Sequence, residues 1–173
     1  MPVAIELSLE EQARYQRTHR WSAAIKASLL AGSIIWLFPG GNPWTFALPS
    51  GAHIMGRPVS ADHSITFLSS EAVPADLGHF AVSLVYGFVI LAVVYKLRSW
   101  RAIVAGIVTG LVLYGINFAA FRAFAPQFTG PYEFNVALAH ILFAGITAGV
   151  IRGLLRPPMR VDESKPNPGP RYP

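Results

Sequence analysis

Four long apolar blocks fill most of this chain, and they constrain its fold more than any other feature. Each block is close to the roughly 17–25 residues that a helix needs to cross the hydrocarbon core of a bilayer. Charged residues make up only 13% of the chain, whereas a typical soluble domain carries about 25%. We therefore expect an all-α integral membrane protein with four transmembrane helices. The predicted helices are residues 21–38, 79–95, 102–121 and 135–155.

Proline and glycine bound these blocks. Pro39 and Gly40 end the first block, Pro74 precedes the second, and Pro126 follows the third. These positions suit helix starts and stops, because proline has no backbone N–H and breaks a helix interior. We interpret the first block as a retained helix rather than a cleaved signal peptide, since acidic residues precede it and it lacks a small-residue cleavage site.

The basic residues predict the orientation of the helices. Twelve of the 14 Lys and Arg residues fall near the start of the first block, between the second and third blocks, or at and after the end of the fourth. With four crossings these three regions share one side, which the positive-inside rule assigns to the cytoplasm. The sequence thus predicts a transmembrane bundle over residues 21–156 with both termini in the cytoplasm (N-in/C-in).

Residues 1–20 are predicted to form a cytoplasmic lead-in to the first crossing. Residues 7–19 have the pattern of a short amphipathic helix. Ser8 and Glu11 match the capping box, in which each side chain accepts a hydrogen bond from the other residue's backbone N–H. The helix is either a solvated lead-in or a segment that lies on the anionic inner leaflet through its arginines.

Two further segments lie outside the predicted helices. Residues 39–75 form a long external loop, which we expect to contain short helical turns at the membrane surface. Residues 157–173 are rich in proline and polar residues, a composition that predicts a disordered cytoplasmic tail.

Small residues recur at helical spacing on three of the predicted helices. In lipid, helices associate through close packing, and small residues allow their backbones to approach. We therefore expect these stripes to lie in the seams of the bundle. The predicted packing residues are Gly87, Gly106, Gly110, Ala144 and Ala148.

Polar residues gather toward the external end of the predicted helices. Ionisable groups within a membrane are costly to bury, which makes them candidates for function. We expect His79 and His140 to lie at similar depth on facing helices, with Tyr114 and Asn117 nearby. The full predicted cluster is Asp76, His79, Ser83, Tyr114, Asn117, Arg122, Glu133 and His140.

Two interpretations of this cluster remain open. In one, the histidines stay neutral and tie helices together through hydrogen bonds. In the other, they form a site for proton-responsive gating, for metal or haem ligation, or for a small ligand. Histidine suits the first of these because its unperturbed pKa of about 6.5 lets mild acid charge it.

Part of the chain resembles a known family, the YagU-like small bacterial inner-membrane proteins. The resemblance covers mainly residues 76–155. It implies a bacterial inner-membrane location, and the family's suggested link to acid tolerance implies that the histidines are worth testing. The residues that carry it are His79-x-x-x-Ser83-x-x-x-Gly87, Trp100, Ala105-Gly106, Glu133 and Ala139-His140.

Three functions compete. The first is a structural or accessory subunit within or beside a larger membrane complex, or one that self-associates. The second is a pH-responsive channel or transporter-like protein that uses His79 and His140. The third is a metal- or haem-binding protein or an enzyme, although no nucleophile–base pair or phosphate loop occurs and the chain has no cysteine. We predict lipid contacts, but no cofactor, catalytic residue, metal site or nucleic-acid partner.

Overall fold

Four helices and two short strands make up the described part of the protein. The computed structural model describes residues 3–5, 7–36, 72–124, 133–157 and 160–162. Most of the predicted external loop and tail lie outside these residues. The elements are β1 (Val3–Ile5), α1 (Leu9–Trp36), α2 (Ala72–Val94), α3 (Ser99–Phe124), α4 (Glu133–Leu154) and β2 (Arg160–Asp162).

The amphipathic lead-in and the first apolar block form one continuous helix, α1, of 28 residues. The predicted capping box begins it. The Ser8 backbone N–H donates to Glu11 Oε2 at 3.0 Å, and the Glu11 N–H donates to Ser8 Oγ at 3.3 Å. Two amides that the first helical turn would leave unpaired are thereby satisfied.

Helix α2 begins at Ala72, earlier than the predicted start at residue 79. Pro74 therefore lies in its first turn. Proline is tolerated there because the first amides of a helix have no intrahelical acceptor, so its missing N–H costs no hydrogen bond.

Three of the helices are long and apolar enough to cross a membrane. Their spans are Asp76–Val94, Ser99–Ala120 and Phe134–Leu154. Within the described residues, helix α1 is not among them. Its first half is rich in charged residues, and the described part of its apolar half ends at Trp36. Residues 37–38 of the predicted first crossing lie outside the described residues.

The outward faces of α2 and α3 are apolar. Every exposed residue of α2 from Leu77 to Val93 is apolar, and so is every exposed residue of α3 from Ile103 to Ala120, apart from one glycine. Val85 and Ile116, for example, expose 58% and 59% of their surface. Monomeric soluble proteins rarely expose such a continuous apolar surface. It is the surface of a multi-pass membrane protein.

Helix α4 packs against all three other helices, and most extensively against α3. Gly106 and Gly110 of α3 lie in this seam. A Cβ placed on Gly106 would lie 2.6 Å from Ala148 Cβ, and one placed on Gly110 would lie 2.5 Å from the carbonyl oxygen of His140. Neither position has room for a side chain, so the two backbones approach as closely as van der Waals contact allows.

A second stripe of small residues joins α1 to its neighbours. Ala23, Ala24, Ala27, Ser28 and Ala31 are all buried, and the residues between them are exposed. Gly87 of α2 lies against Ser28 so closely that a Cβ on Gly87 would overlap the Ser28 hydroxyl. The apolar half of α1 is therefore packed into the helix assembly as tightly as the more apolar helices.

The two strands form an antiparallel pair in which Val3, Ala4 and Ile5 face Asp162, Val161 and Arg160. This pairing was not predicted, since residues 157–173 have the composition of a disordered tail. It brings the segment before α1 and the segment after α4 together.

The close α3–α4 contact predicts the effect of enlarging Gly110. Gly110→Leu should lower the free energy of unfolding by about 1–3 kcal/mol, because an added side chain forces the α4 backbone away. Thermal unfolding of the detergent-solubilised protein measures this. Gly115→Leu is the matched control, because a Cβ on Gly115 of the same helix meets nothing within 4 Å. Equal stability of the two variants would mean that the seam yields without cost.

Candidate functional site

A chain of hydrogen bonds joins three of the helices at one level. The Tyr86 hydroxyl of α2 donates to Asn117 Oδ1 of α3 in a short hydrogen bond. Asn117 Nδ2 lies 2.8 Å from His140 Nε2 of α4. We call Tyr86, Asn117 and His140 the polar triad. It is half-buried among apolar helices, where an unpaired polar group would be costly.

The second ring nitrogen of His140 fixes the direction of these bonds. Nδ1 lies 2.8 Å from the carbonyl oxygen of Val136, one turn earlier in α4. A carbonyl only accepts, so Nδ1 carries the proton and the neutral ring presents Nε2 as an acceptor. Asn117 Nδ2 then donates to Nε2, while Oδ1 accepts from Tyr86. All three hydrogen bonds therefore run in the same direction. Tyr86 donates to Asn117, Asn117 donates to His140, and His140 donates to the α4 backbone.

Aromatic rings surround the His140 imidazole. The Tyr114 ring meets it edge-on with centroids 5.8 Å apart, and the Tyr86 ring lies tilted at 6.1 Å. Tyr114 also lies 5.9 Å from Phe118 on the same helix. These rings hold the imidazole in place and limit the room that it has to reorient.

His79 takes part in a different seam. Its Nε2 lies 3.2 Å from the Gly32 carbonyl oxygen of α1. Ser83, one turn along α2, is buried beside it, and its Oγ would lie 3.1 Å from a Cβ on Gly32. Asp76 is close enough to His79 for their charges to interact. His79 and Ser83 thus fasten α2 to α1, whereas His140 fastens α4 to α3 and, through Asn117, to α2.

The structure accordingly divides the predicted cluster. Tyr114, Asn117 and His140 come together on α3 and α4. Asp76, His79 and Ser83 line the α1-facing side of α2. Arg122 and Glu133 lie in the last turn of α3 and at the start of α4, and their side chains are outside the described residues.

Sequence reasoning missed Tyr86, which completes the triad. Tyr86 follows His79 and Ser83 at helical spacing, seven and three residues later, so it continues the same polar stripe. That spacing was the signal that could have identified it. The sequence analysis took Gly87, four residues after Ser83, as the next member of the stripe, and Tyr86 was therefore passed over.

A second polar region lies at the opposite end of α2, where the chain turns into α3. Arg152 of α4 donates from Nη1 to the Tyr95 carbonyl oxygen at 3.0 Å. Arg156 donates from Nη2 to Ser99 Oγ at 3.0 Å, and the Arg20 guanidinium of α1 lies 5.8 Å from the Tyr95 ring centroid. Basic residues from α1 and α4 therefore meet at the turn between α2 and α3.

Within the described ranges, no three His, Asp or Glu side chains gather closely enough to hold a metal ion. Comparison of the chain with protein-family models, with curated proteins and with solved structures found no match. The resemblance to the YagU-like family stays a prediction.

The triad predicts an energetic coupling between α2 and α3. Tyr86→Phe removes one hydroxyl and leaves Asn117 Oδ1 without its donor, whereas Asn117→Leu removes the acceptor of Tyr86 and the donor to His140 at once. A double-mutant cycle on thermal stability should give a coupling of about 0.6–1.7 kcal/mol, the range of hydrogen bonds between membrane helices.

The control pairs Tyr86→Phe with Thr109→Val. The Thr109 hydroxyl bonds the Ala105 carbonyl within its own helix at 2.7 Å, so these two changes should be additive within about 0.5 kcal/mol. A Tyr86–Asn117 coupling no larger than that of the control pair would mean that the triad contributes nothing between helices.

Proposed function

We propose that this protein crosses a bacterial inner membrane four times, with both termini in the cytoplasm. Three helices alone would place the two ends of the described chain on opposite sides. The pairing of β1 with β2 supports an even number of crossings, because strands that bond to each other must lie on the same side. Helix α1 is then the fourth crossing.

The surface of α1 supports this assignment. From Trp21 onward its exposed face carries Ile25, Leu29, Leu30 and Ile34, which no described helix covers. Lys26 interrupts this face near one end, where a long side chain reaches the headgroups while its methylene stem stays in the apolar region. The charged first half of α1 would extend from the membrane into the cytoplasm.

We further propose that the protein is a structural or accessory subunit that packs beside other membrane proteins. The observation that carries this proposal is that the polar side chains of the triad bond within the protein. Tyr86, Asn117 and His140 bond to one another and to the backbone, so each polar side-chain atom of the triad has a partner within the protein. The outward faces of α2 and α3, and of α1 after Trp21, are mainly apolar surface, which lipid or another membrane protein can cover.

Site-specific photo-crosslinking in native membranes tests this role. A photoreactive residue would replace Leu30 on α1, Val85 on α2 or Val108 on α3, all of them exposed. We expect a discrete protein adduct from at least one of these faces and lipid adducts from the others. The matched control is Ile151, which is fully buried and should give only crosslinks within the chain.

Lipid adducts from all three faces would contradict an accessory role. An adduct between two copies of this chain would indicate self-association instead. Mass spectrometry of the adduct distinguishes the two, because self-association yields peptides of this protein alone.

One observation favours a second function, a response to acid. The present arrangement of the triad requires a neutral His140, because its Nε2 accepts from Asn117. A protonated imidazole donates from both nitrogens. Asn117 would then have to turn its amide over, and the Tyr86 hydroxyl would lose its acceptor. His79 differs, since its Nε2 faces a carbonyl and can donate in either protonation state.

This contrast makes the acid response testable. Between about pH 7.5 and pH 5 the parent protein should lose about 1 kcal/mol of stability, or about 2–4 °C in melting temperature, as His140 gains a proton. His140→Gln should remove that loss, and His79→Gln should keep it. An acid response that survives in His140→Gln would assign it to other groups, and a parent without any response would leave the triad as packing alone.

A further inference from the structure

A cleft opens at the turn end of the helices, between the start of α3 and the end of α4. It has a volume of about 230 Å³. Its lining consists of Ser99 and Ile103 from α3 and Gly149, Arg152, Gly153 and Arg156 from α4. None of these residues belongs to the polar triad, and the proposed role in assembly does not use them.

Two glycines create the space. A Cβ on Gly149 would come no closer than 3.9 Å to Ile103, and one on Gly153 would meet nothing within 4 Å. At Gly106 and Gly110, elsewhere in the same seam, atoms of α4 occupy the space that a side chain would need. The α3–α4 seam is thus closed along most of its length and open at this end.

The polar lining of the cleft is positively charged. Arg152 and Arg156 each use one guanidinium nitrogen within the protein, on the Tyr95 carbonyl and on Ser99 Oγ. Arg152 Nε is buried and has no hydrogen-bond partner among the described residues. None of the described residues that line the cleft carries a carboxylate.

The start of α3 adds to this positive field. Ser99 is the first residue of the helix, and the first amides of a helix point outward without intrahelical acceptors. The helix dipole places a partial positive charge at the same point. Two guanidinium groups, a hydroxyl and a helix start therefore lie at one small cleft. This set of donors suits a phosphate group.

We propose that this cleft binds a phosphate ester, with the phosphate held by Arg152, Arg156 and the start of α3. The apolar side of the cleft at Ile103 continues into the exposed apolar face of α3. This continuity suits an anionic phospholipid whose headgroup enters the cleft while its acyl chains run along the helix. A free phosphate would use the same donors without that apolar contact. The residues that line the site come from the start of α3 and the end of α4. The proposal therefore does not depend on how many times the chain crosses the membrane.

Native mass spectrometry of the detergent-solubilised protein tests the site, with phosphatidylglycerol and phosphatidylcholine as probes. We expect the parent protein to retain phosphatidylglycerol preferentially. Arg156→Gln should weaken this retention about tenfold, as expected for the loss of one charge-assisted hydrogen bond. Gly153→Leu should weaken it as well while leaving every charge in place, because its side chain would fill the cleft. Thermal unfolding without lipid checks that both variants remain folded.

Arg101→Gln is the matched control, because Arg101 is basic and close by but packs over Trp100 outside the cleft lining. It should bind like the parent. A second arm measures inorganic phosphate by calorimetry in the same detergent. Phosphate binding that Gly153→Leu abolishes, without a preference for phosphatidylglycerol, would identify free phosphate as the ligand. Retention that is unchanged in Gly153→Leu, or reduced equally in Arg101→Gln and Arg156→Gln, would overturn the proposal.

Discussion

A polar side chain in a hydrocarbon layer must find its hydrogen-bond partners within the protein, because lipid offers none. The polar triad meets this requirement across three helices at once. Asn117 has a donor and an acceptor on one short side chain, so it can be satisfied only when α2 and α4 both lie at the right level and rotation around α3. The arrangement of these three helices therefore depends on a single amide.

Close packing supplies the rest of the stability. In lipid the hydrophobic effect does not drive helices together. Small residues stabilise the association instead, because they allow the helix backbones to come into contact. Gly106 and Gly110 bring α3 against α4, and the alanine stripe of α1 brings that helix against its neighbours. Because α4 packs on all three other helices, the two mechanisms reinforce each other. The triad sets the level of α4, and the glycines set its distance from α3.

The sequence predicted the features that depend on local pattern. The capping box at Ser8 and Glu11 is confirmed because its four-residue geometry is self-contained. The described residues of the four apolar blocks likewise lie in helices, apart from the last residue of the second and of the fourth. Features that depend on partners distant in sequence were harder to predict. Helical spacing placed Asn117 and His140 on their faces, but it did not show that Tyr86 completes their hydrogen bonds, or that Gly32 of α1 receives His79. The β1–β2 pair was missed because three residues carry too little pattern to predict a strand.

Helix α1 differs from the others because one continuous helix is charged in its first half and apolar in its second. It packs against α2 and α4, two of the three apolar spans, so its own position in the membrane is tied to theirs. Placing α1 across the bilayer reconciles the paired strands with the basic residues at the α2–α3 turn. Placing it along the surface would leave its outward face of Ile25, Leu30 and Ile34 in water.

Single-cysteine labelling measures the number of crossings most directly, because the chain has no cysteine of its own. Cysteines would be introduced singly at Glu10, Gly41, Lys96, Gly130 and Pro166 and treated with a membrane-impermeant maleimide in intact spheroplasts. With four crossings, the cysteines at positions 41 and 130 should react in intact cells, and those at 10, 96 and 166 only after lysis. Labelling of position 10 in intact cells while 96 and 166 stay protected would contradict the account, because α1 would then not cross in the direction that it requires.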